Sequence, residues 1–435
     1  MAKAFLPTNF SDLAMSLISI SIAFVVWKGI ILFVAWLAPG QGYDTSTSLL
    51  AGANRLVRWD AIYFVQKARR GDIFEQEWAF GKGLSTLLSS IAGQDLSAIA
   101  ATGILVSHIA HYLSVILLWR IAGLLSQDNG KSNNTRSTPY IAACLHIVSP
   151  AGIFLSAPYA EAPFSCLNML GFWLYLQAHS NTESSTTRKC CALIMSGMSF
   201  GGATMMRSNG ILSGIPFLID ALRSSLVALK DLREGRVNSS RVLALLATIV
   251  AGLATAAGLA LPQYMAYQEY CNRSGDVRSW CYSRLPLIYS FVQSHYWYAP
   301  TIYRQGSANR CRGVGFLRYW SLSNMPLFLL AIPILLLLLW SGVESFTDDC
   351  VGGSSARQIA LVRRLVLPQM VLAILAITNY HVQIITRLAS GYPLVYIWLA
   401  ERVVMDKKEA KLSVRFFVIY GLIQAGLFAS FLPPA

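Results

Sequence analysis

An acidic residue lies between a tryptophan and an amphipathic stretch, shortly after the first hydrophobic segment of this 435-residue chain. Asp60 follows Trp59, and the apolar residues of 62–68 then recur with helical spacing until Gly71, a typical C-terminal cap. The pattern predicts a helix at a membrane interface, with Lys67 on its polar face. A carboxylate at the start of such a helix can take a proton from a sugar hydroxyl beside a lipid-linked donor, or it can serve only as a helix cap.

Three further acidic residues lie next to apolar or helix-breaking residues. Glu75 and Glu77 belong to the same polar loop and precede Trp-Ala-Phe, and Glu161 follows Tyr159 at the end of the proline-interrupted segment 149–158. Acids in an exposed loop are usually solvated, and Glu161 could be an ordinary helix cap. An acid at the membrane edge is nevertheless costly, which favours a functional role. We expect Glu75 and Glu77 to bind sugar hydroxyls or an amine, and Glu161 to have a functional role at its turn.

Basic residues occur at two other predicted turns. Arg207 stands beside Asn209 at a helix start, where guanidinium and backbone N–H groups can bind a phosphate, although the arginine could instead snorkel to the interface. His381, Gln383 and Arg387 end an apolar segment, and Gln383 and Arg387 share a helical face. A lone membrane histidine is more often a satisfied polar contact, but three such residues in seven predict a site.

The elements that position these residues are predicted to be membrane helices. The chain is 55% hydrophobic and 13% charged, with a mean hydropathy of +0.50, which excludes an ordinary soluble protein. Its long apolar runs predict an all-α polytopic protein with about eleven spans and a single membrane domain over residues 1–435. The predicted spans are roughly 13–37, 98–124, 139–157, 162–178, 190–206, 211–229, 242–266, 324–341, 365–385, 388–403 and 414–432.

Lysine and arginine residues sort to alternate loops. With a cytoplasmic N-terminus, the basic pairs of 188–189, 363–364 and 407–408 fall in cytoplasmic loops, as the positive-inside rule requires. The loops at about 38–97 and 267–323 then lie in the lumen. The net charge of +14 is therefore explained by topology, and no nucleic-acid partner is expected. Lys28 is the clearest charge within a span.

Cysteine and motif patterns narrow the chemistry. Cys271 and Cys281, ten residues apart in the second luminal loop, predict a disulfide, with Cys311 free. No Cys/His zinc spacing, phosphate-binding P-loop or Asp-x-Asp pair is present in the sequence, so neither a metal nor a cofactor is expected.

These motifs, in this order, resemble those of the PIG-V family, the second mannosyltransferase of glycosylphosphatidylinositol (GPI) anchor synthesis. The matching stretches are Arg58-Trp59-Asp60, Glu75-x-Glu77-Trp-Ala-Phe80, Ser149 to Glu161, Arg207-Ser-Asn-Gly210, Arg284-Leu-Pro286, Gly315 to Tyr319 and His381 to Arg387. Two departures concern loop geometry: Gly81-Lys82-Gly83 follows Phe80, and residues 298–314 look like an insertion.

The resemblance implies a GT-C glycosyltransferase fold with interfacial helices in the first luminal loop. It implies transfer of an α-1,6-linked mannose from dolichyl-phosphate mannose to a GPI precursor at the endoplasmic reticulum membrane, by a metal-independent inverting reaction. Asp60 would be the base. Arg207, His381 and Arg387 would hold the donor phosphate. The acceptor or sugars would be bound by Trp59, Glu75, Glu77, Tyr159, Glu161, Asn209 and Gln383. A small membrane subunit is an expected partner.

Two other functions fit parts of the pattern. A GT-C transferase with the same kind of donor and another acceptor would share the fold and the charged residues. A polytopic lipid transporter would instead carry charges inside its spans and an inverted repeat, and the sequence shows no such repeat.

Overall fold

The computed structural model describes residues 10–39, 55–126, 137–180, 185–236, 238–272, 278–295, 315–347 and 356–432. These residues form α-helices and short 3-10 turns, and no strand is found among them. The α-helices are α1 (Phe10–Leu37), α2 (Asp60–Arg70), α3 (Gly83–Ala92), α4 (Leu96–Ser126), α5 (Thr138–Ile147), α6 (Glu161–Ser180), α7 (Thr186–Met206), α8 (Ile215–Arg233), α9 (Ser239–Cys271), α10 (Ile288–His295), α11 (Met325–Thr347), α12 (Ala356–Thr378), α13 (Ile385–Leu388), α14 (Pro393–Val404) and α15 (Lys408–Ala429).

The predicted all-α polytopic class is confirmed. In the described ranges, seven segments are long and apolar enough to cross a membrane: α1, α4, α9, α12, α15, and α8 and α11 each with the 3-10 turn before it. Their outward faces are apolar and exposed, as on Leu222 and Leu226 of α8 and Leu253 of α9. Such faces suit a surrounding of lipid.

The count of eleven spans is not confirmed. The predicted span 139–157 is the ten-residue helix α5 followed by a 3-10 turn, because Pro150 and Gly152 interrupt the helix. The predicted span 388–403 is the twelve-residue helix α14, which starts only at Pro393. The span placed at 365–385 is shifted, since α12 runs from Ala356 to Thr378.

Close helix packing relies on small residues. A Cβ added to Gly197 or Gly201 of α7 would come within 2.4 Å of the backbone of α9, and one added to Gly258 of α9 would lie 2.2 Å from the carbonyl oxygen of Gly201. Small residues at helix interfaces let membrane helices approach closely and gain van der Waals contact. α7 and α9 thereby form a closely packed pair, and α7 ends next to the charged residues described below.

The first polar loop folds as α2, a 3-10 turn at Glu75–Phe80 and α3. The predicted helix and its glycine cap are confirmed: the N–H of Gly71 donates to the carbonyl of Lys67. The expected exposure of Lys67 is wrong. Its ammonium lies 2.7 Å from Asp72 and donates to the carbonyls of Glu77 and Gly81 at 3.0 Å. The lysine is buried because the chain after α2 folds back over it.

The second polar loop is joined to the first. Cys271 and Cys281 form the predicted disulfide, with their Cα atoms 5.6 Å apart, whereas Cys311 lies outside the described residues. One residue before Cys281, the indole N–H of Trp280 donates to Glu75 Oε1 at 3.1 Å. The disulfide closes the start of the second loop, and the hydrogen bond from Trp280 joins that loop to the first.

Candidate active site

Asp60 is the first residue of α2, and its side chain is 38% exposed. The N-cap position before it is held by Trp59, with φ 55° and ψ −131°, a conformation that bulky residues rarely adopt. Backbone strain of this kind persists where the surrounding structure imposes it, and it concentrates at functional sites. The observed geometry therefore favours a role for Asp60 beyond helix capping.

Tyr159 holds the backbone just before the strained residue Trp59. This tyrosine is fully buried, and its hydroxyl donates to the carbonyl of Arg58 at 3.2 Å. Burial raises the pKa of Tyr159, and the charge of Asp60 raises it further, so the hydroxyl keeps its proton and remains a donor. Tyr159 was predicted to contact a sugar; the structure shows it positioning the backbone that leads into Asp60.

Arg387, in α13, is the charged partner of Asp60. Its Nη1 lies 3.5 Å from Asp60 Oδ2, and its guanidinium carbon lies 3.9 Å from the ring centre of Phe154. Burial lowers the pKa of Arg387, but the carboxylates of Asp60 and Glu161 outweigh burial and raise the pKa overall. The arginine is thus a permanent cation, held against an aromatic face with a carboxylate beside it.

Glu161 links this pair to the second predicted basic residue. It is fully buried at the start of α6, and its Oε1 lies 2.5 Å from Arg207 Nη2 and 3.9 Å from Arg387 Nη1. Its Oε2 is buried with no hydrogen-bond partner among the described residues. Asp60, Arg387, Glu161 and Arg207 therefore form one alternating cluster, which we call the charged quartet.

The turn after α7 positions Arg207. The 3-10 turn Ser208–Gly214 follows it directly, and within that turn Asn209 Nδ2 donates to the hydroxyl of Tyr392 at 3.3 Å. A Cβ on Gly210 would lie 2.7 Å from the backbone nitrogen of Thr204, so the turn packs tightly onto its own helix. Asn209 is 8% exposed and acts here as a structural contact.

His381 and Gln383 lie in the short segment between α12 and α13. The hydroxyl of Tyr319 donates to Gln383 Oε1 at 3.1 Å, and the rings of Tyr319 and His381 meet edge to face with centroids 4.9 Å apart. His381 is exposed as a whole residue, but desolvation of its ring by the surrounding protein lowers its pKa, and the charge of Arg387 lowers the pKa further against the opposing effect of Asp60. We conclude that His381 is a neutral hydrogen-bonding group at neutral pH.

Glu75 and Glu77 have protein partners. Glu77 accepts two bonds from Arg70 and one from each backbone N–H of Ile73 and Phe74. Glu75 accepts from Trp280 and faces Arg278 at 3.5 Å. Their predicted role in sugar binding remains a prediction, whereas a role in folding the loops is visible.

The quartet can support transfer of a group from an anionic leaving group. Asp60 is the most exposed member, so it can meet a hydroxyl nucleophile. The two arginines are 14–15% exposed and can approach a phosphate. Phe154 and Tyr319 were missed by the sequence-based predictions; both belong to the matching motifs but carry no ionisable group that would single them out.

Comparison with known proteins places the chain among membrane transferases. Residues 43–435 match the family described as "Mannosyltransferase (PIG-V)". GPI mannosyltransferase 2 of Gibberella zeae is 40% identical over 444 residues, covering 96% of this chain and 98% of the relative. The same-named protein of Saccharomyces cerevisiae is 26% identical, covering 96% and 100%.

Solved structures are more distant. The Archaeoglobus fulgidus oligosaccharyltransferase tethered to an acceptor peptide is 14% identical with a TM-score of 0.46, and the alignment covers 94% of this chain. ArnT from Cupriavidus metallidurans bound to undecaprenyl phosphate is 12% identical with a TM-score of 0.42, covering 88%. The chain spans little more than half the length of these proteins, 55% and 60% respectively.

Proposed function

This chain belongs to the PIG-V mannosyltransferase family, and we propose that it adds the second mannose of a GPI-anchor precursor. The donor is dolichyl-phosphate mannose, the acceptor is the first mannose of the precursor, and the new bond is α-1,6. The observation that carries the proposal is the charged quartet, which four separate chain segments bring together around the exposed carboxylate of Asp60.

Asp60 acts as the general base in this proposal. A hydroxyl of the acceptor mannose attacks the anomeric carbon of the donor sugar, Asp60 takes the hydroxyl proton, and the bond from that carbon to the phosphate oxygen breaks. Because the donor is β-linked and the product α-linked, one inverting displacement is sufficient. The 38% exposure of the carboxylate leaves room for a sugar hydroxyl, and the strained Trp59 fixes the helix start.

Arg387 and Arg207 stabilise the departing phosphate. Both guanidinium groups are already ordered by Glu161, so little side-chain entropy is lost when the phosphate binds. Burial of this region also strengthens their attraction for the charge that develops on the leaving group. His381 contributes a hydrogen bond, since its lowered pKa leaves it uncharged.

The remaining expectations are part of the same proposal. The protein works as one domain in the endoplasmic reticulum membrane, with the quartet on the luminal side. A small membrane subunit assists it, and no metal or cofactor is required. The motifs predict acceptor contacts for Trp59, Glu75, Glu77, Tyr159, Glu161, Asn209 and Gln383. We propose direct contact with the acceptor for the partly exposed Trp59 and Gln383, and a supporting role for the buried residues through the contacts described above.

The test is a transfer assay with purified protein in lipid nanodiscs. We expect a one-mannose GPI precursor to gain one α-1,6-mannose from dolichyl-phosphate mannose and none from GDP-mannose, with or without a chelator. Transfer from GDP-mannose, or to an unrelated lipid acceptor in preference to the GPI precursor, would refute the proposal.

The phosphate role has its own matched comparison. Arg207→Ala and Arg387→Ala should raise the KM for the lipid donor by about tenfold or more, because a charge-assisted bond to the phosphate is lost. Arg364→Ala is the control. Arg364 of α12 is 16% exposed and pairs with Asp220 of α8 at 2.6 Å, and neither residue belongs to the segments that carry the quartet. An equal rise in donor KM for all three variants would contradict a specific phosphate role.

A further inference from the structure

Lys28 is a charged residue inside a membrane helix that the proposed chemistry does not use. It lies in α1 and is 5% exposed. Its ammonium donates to the carbonyl of Leu155 at 2.8 Å and to the hydroxyl of Ser156 at 2.7 Å. An ionisable residue within a span is expensive and is usually retained for a functional reason.

The segment that Lys28 contacts is the break between α5 and α6. Backbone carbonyls freed by such a break need partners at membrane depth. Leu155 accepts from Lys28, Ala157 accepts from Ser107 at 2.7 Å, and the carbonyl of His146 lies 3.3 Å from a ring nitrogen of His111. The carbonyls of His146 and Ala157 each also accept from a backbone N–H, of Ser149 and Tyr159 respectively, whereas the carbonyl of Leu155 accepts from Lys28.

Residues of the same break also contact the arginines of the quartet. Phe154 immediately precedes Leu155, and its ring lies under the guanidinium of Arg387 at 3.9 Å. Glu161 starts α6 six residues after Leu155 and pairs with Arg207 and Arg387. Because Phe154 belongs to the turn Gly152–Leu155, a shift of this turn would move its ring. The shift would also change the path of the chain that leads to Glu161.

We propose that Lys28 is a positioning residue for the donor site: its two hydrogen bonds hold the turn at 152–156 so that Phe154 and Glu161 keep Arg387 in place. Lys28 touches no substrate and acts through Arg387. The inference rests on the proposed function, in which Arg387 binds the donor phosphate.

The experiment measures donor KM, acceptor KM and kcat for the folded fraction of the full-length protein in nanodiscs. Lys28→Met keeps the length of the side chain and removes both bonds, so we expect donor KM to rise about tenfold or more and acceptor KM to stay within about twofold. Ser156→Ala removes one bond, and we expect a smaller rise of about threefold. Adding Ser156→Ala to Lys28→Met should have no further effect, because the bond is already lost.

The matched control is Ser114→Ala. Ser114 is fully buried in α4, and its hydroxyl bonds to Ala110 of its own helix at 2.8 Å, so the loss leaves the break untouched. We expect wild-type donor KM for this variant. The conservative Lys28→Arg change should retain part of the donor affinity, since a long side chain with N–H groups can still donate to the turn.

Other results would overturn the proposal. If Lys28→Met lowers the thermal stability but leaves donor KM unchanged, Lys28 is only structural. If Lys28→Met does not fold, Ser156→Ala decides, and an unchanged donor KM for that variant rejects the inference. Arg387→Ala separates the phosphate role of Arg387 from the positioning role of Lys28. If Arg387→Ala leaves donor KM unchanged, the phosphate role is rejected. If donor KM rises in Arg387→Ala but not in the Lys28 and Ser156 variants, only the role of Lys28 is rejected.

Discussion

The pairing of Glu161 with two arginines makes a quantitative prediction. Glu161→Gln removes a fully buried carboxylate that lies 2.5 Å from Arg207 and 3.9 Å from Arg387. Removing one partner of a buried ion pair costs about 3–5 kcal/mol, because the other charge is left uncompensated. Since both arginine side chains remain 14–15% exposed, we expect the low end, about 3 kcal/mol in the free energy of unfolding.

The assay is a double-mutant cycle in mixed micelles. Glu161→Gln, Arg207→Met and the double variant are unfolded by detergent titration, and we expect a coupling energy of about 2 kcal/mol between the two positions. The pair Arg364 and Asp220, 2.6 Å apart, is a comparison that should also show coupling but leave donor KM unchanged. Effects of Glu161 and Arg207 that simply add, within about 0.5 kcal/mol, would refute the pairing.

Three further predictions concern separate parts of the molecule. Desolvation of the ring and the charge of Arg387 hold the pKa of His381 below its ordinary 6.5, so the ring is neutral above that pH. Donor KM should therefore stay flat from pH 6.5 to about 8; a rise with pH that disappears in His381→Gln would contradict this. Glu77→Gln should lower thermal stability by weakening the bidentate contact with Arg70, with normal KM values for folded enzyme, and a selective rise in acceptor KM would instead support sugar binding. Non-reducing peptide mapping should find Cys271 joined to Cys281, and free thiols or another partner for either cysteine would count against the structure.

Local patterns were enough to predict several elements. The helix of Asp60 and its Gly71 cap depend on spacing and on one glycine, both of which are visible within twelve residues. The Cys271–Cys281 disulfide likewise follows from two nearby residues in one loop. In each case the interacting residues are close in the chain, so no knowledge of helix packing was needed.

Features that depend on packing between distant segments were not predicted. Glu161 pairs with a residue 46 positions away, and its placement between two arginines became visible only when α6, α7 and α13 were assembled. Lys67 has the spacing of a solvent-exposed residue, yet the chain after α2 covers it. The short helices α5 and α14 appeared as full spans because apolar composition continues across their breaks, and hydropathy does not register a broken helix.

The direct test of the central claim is the lipid profile of cells in which Asp60→Asn replaces the native enzyme. Asparagine keeps the size of the side chain and removes the base, and loss of a general base typically lowers the rate by about 10²–10⁴. The account predicts a well-expressed, correctly localised protein, accumulation of a one-mannose GPI precursor, and slight recovery with Asp60→Glu. Normal precursors and normal growth with Asp60→Asn would show that Asp60 is only a structural residue at the start of α2, and the proposed mechanism would be wrong.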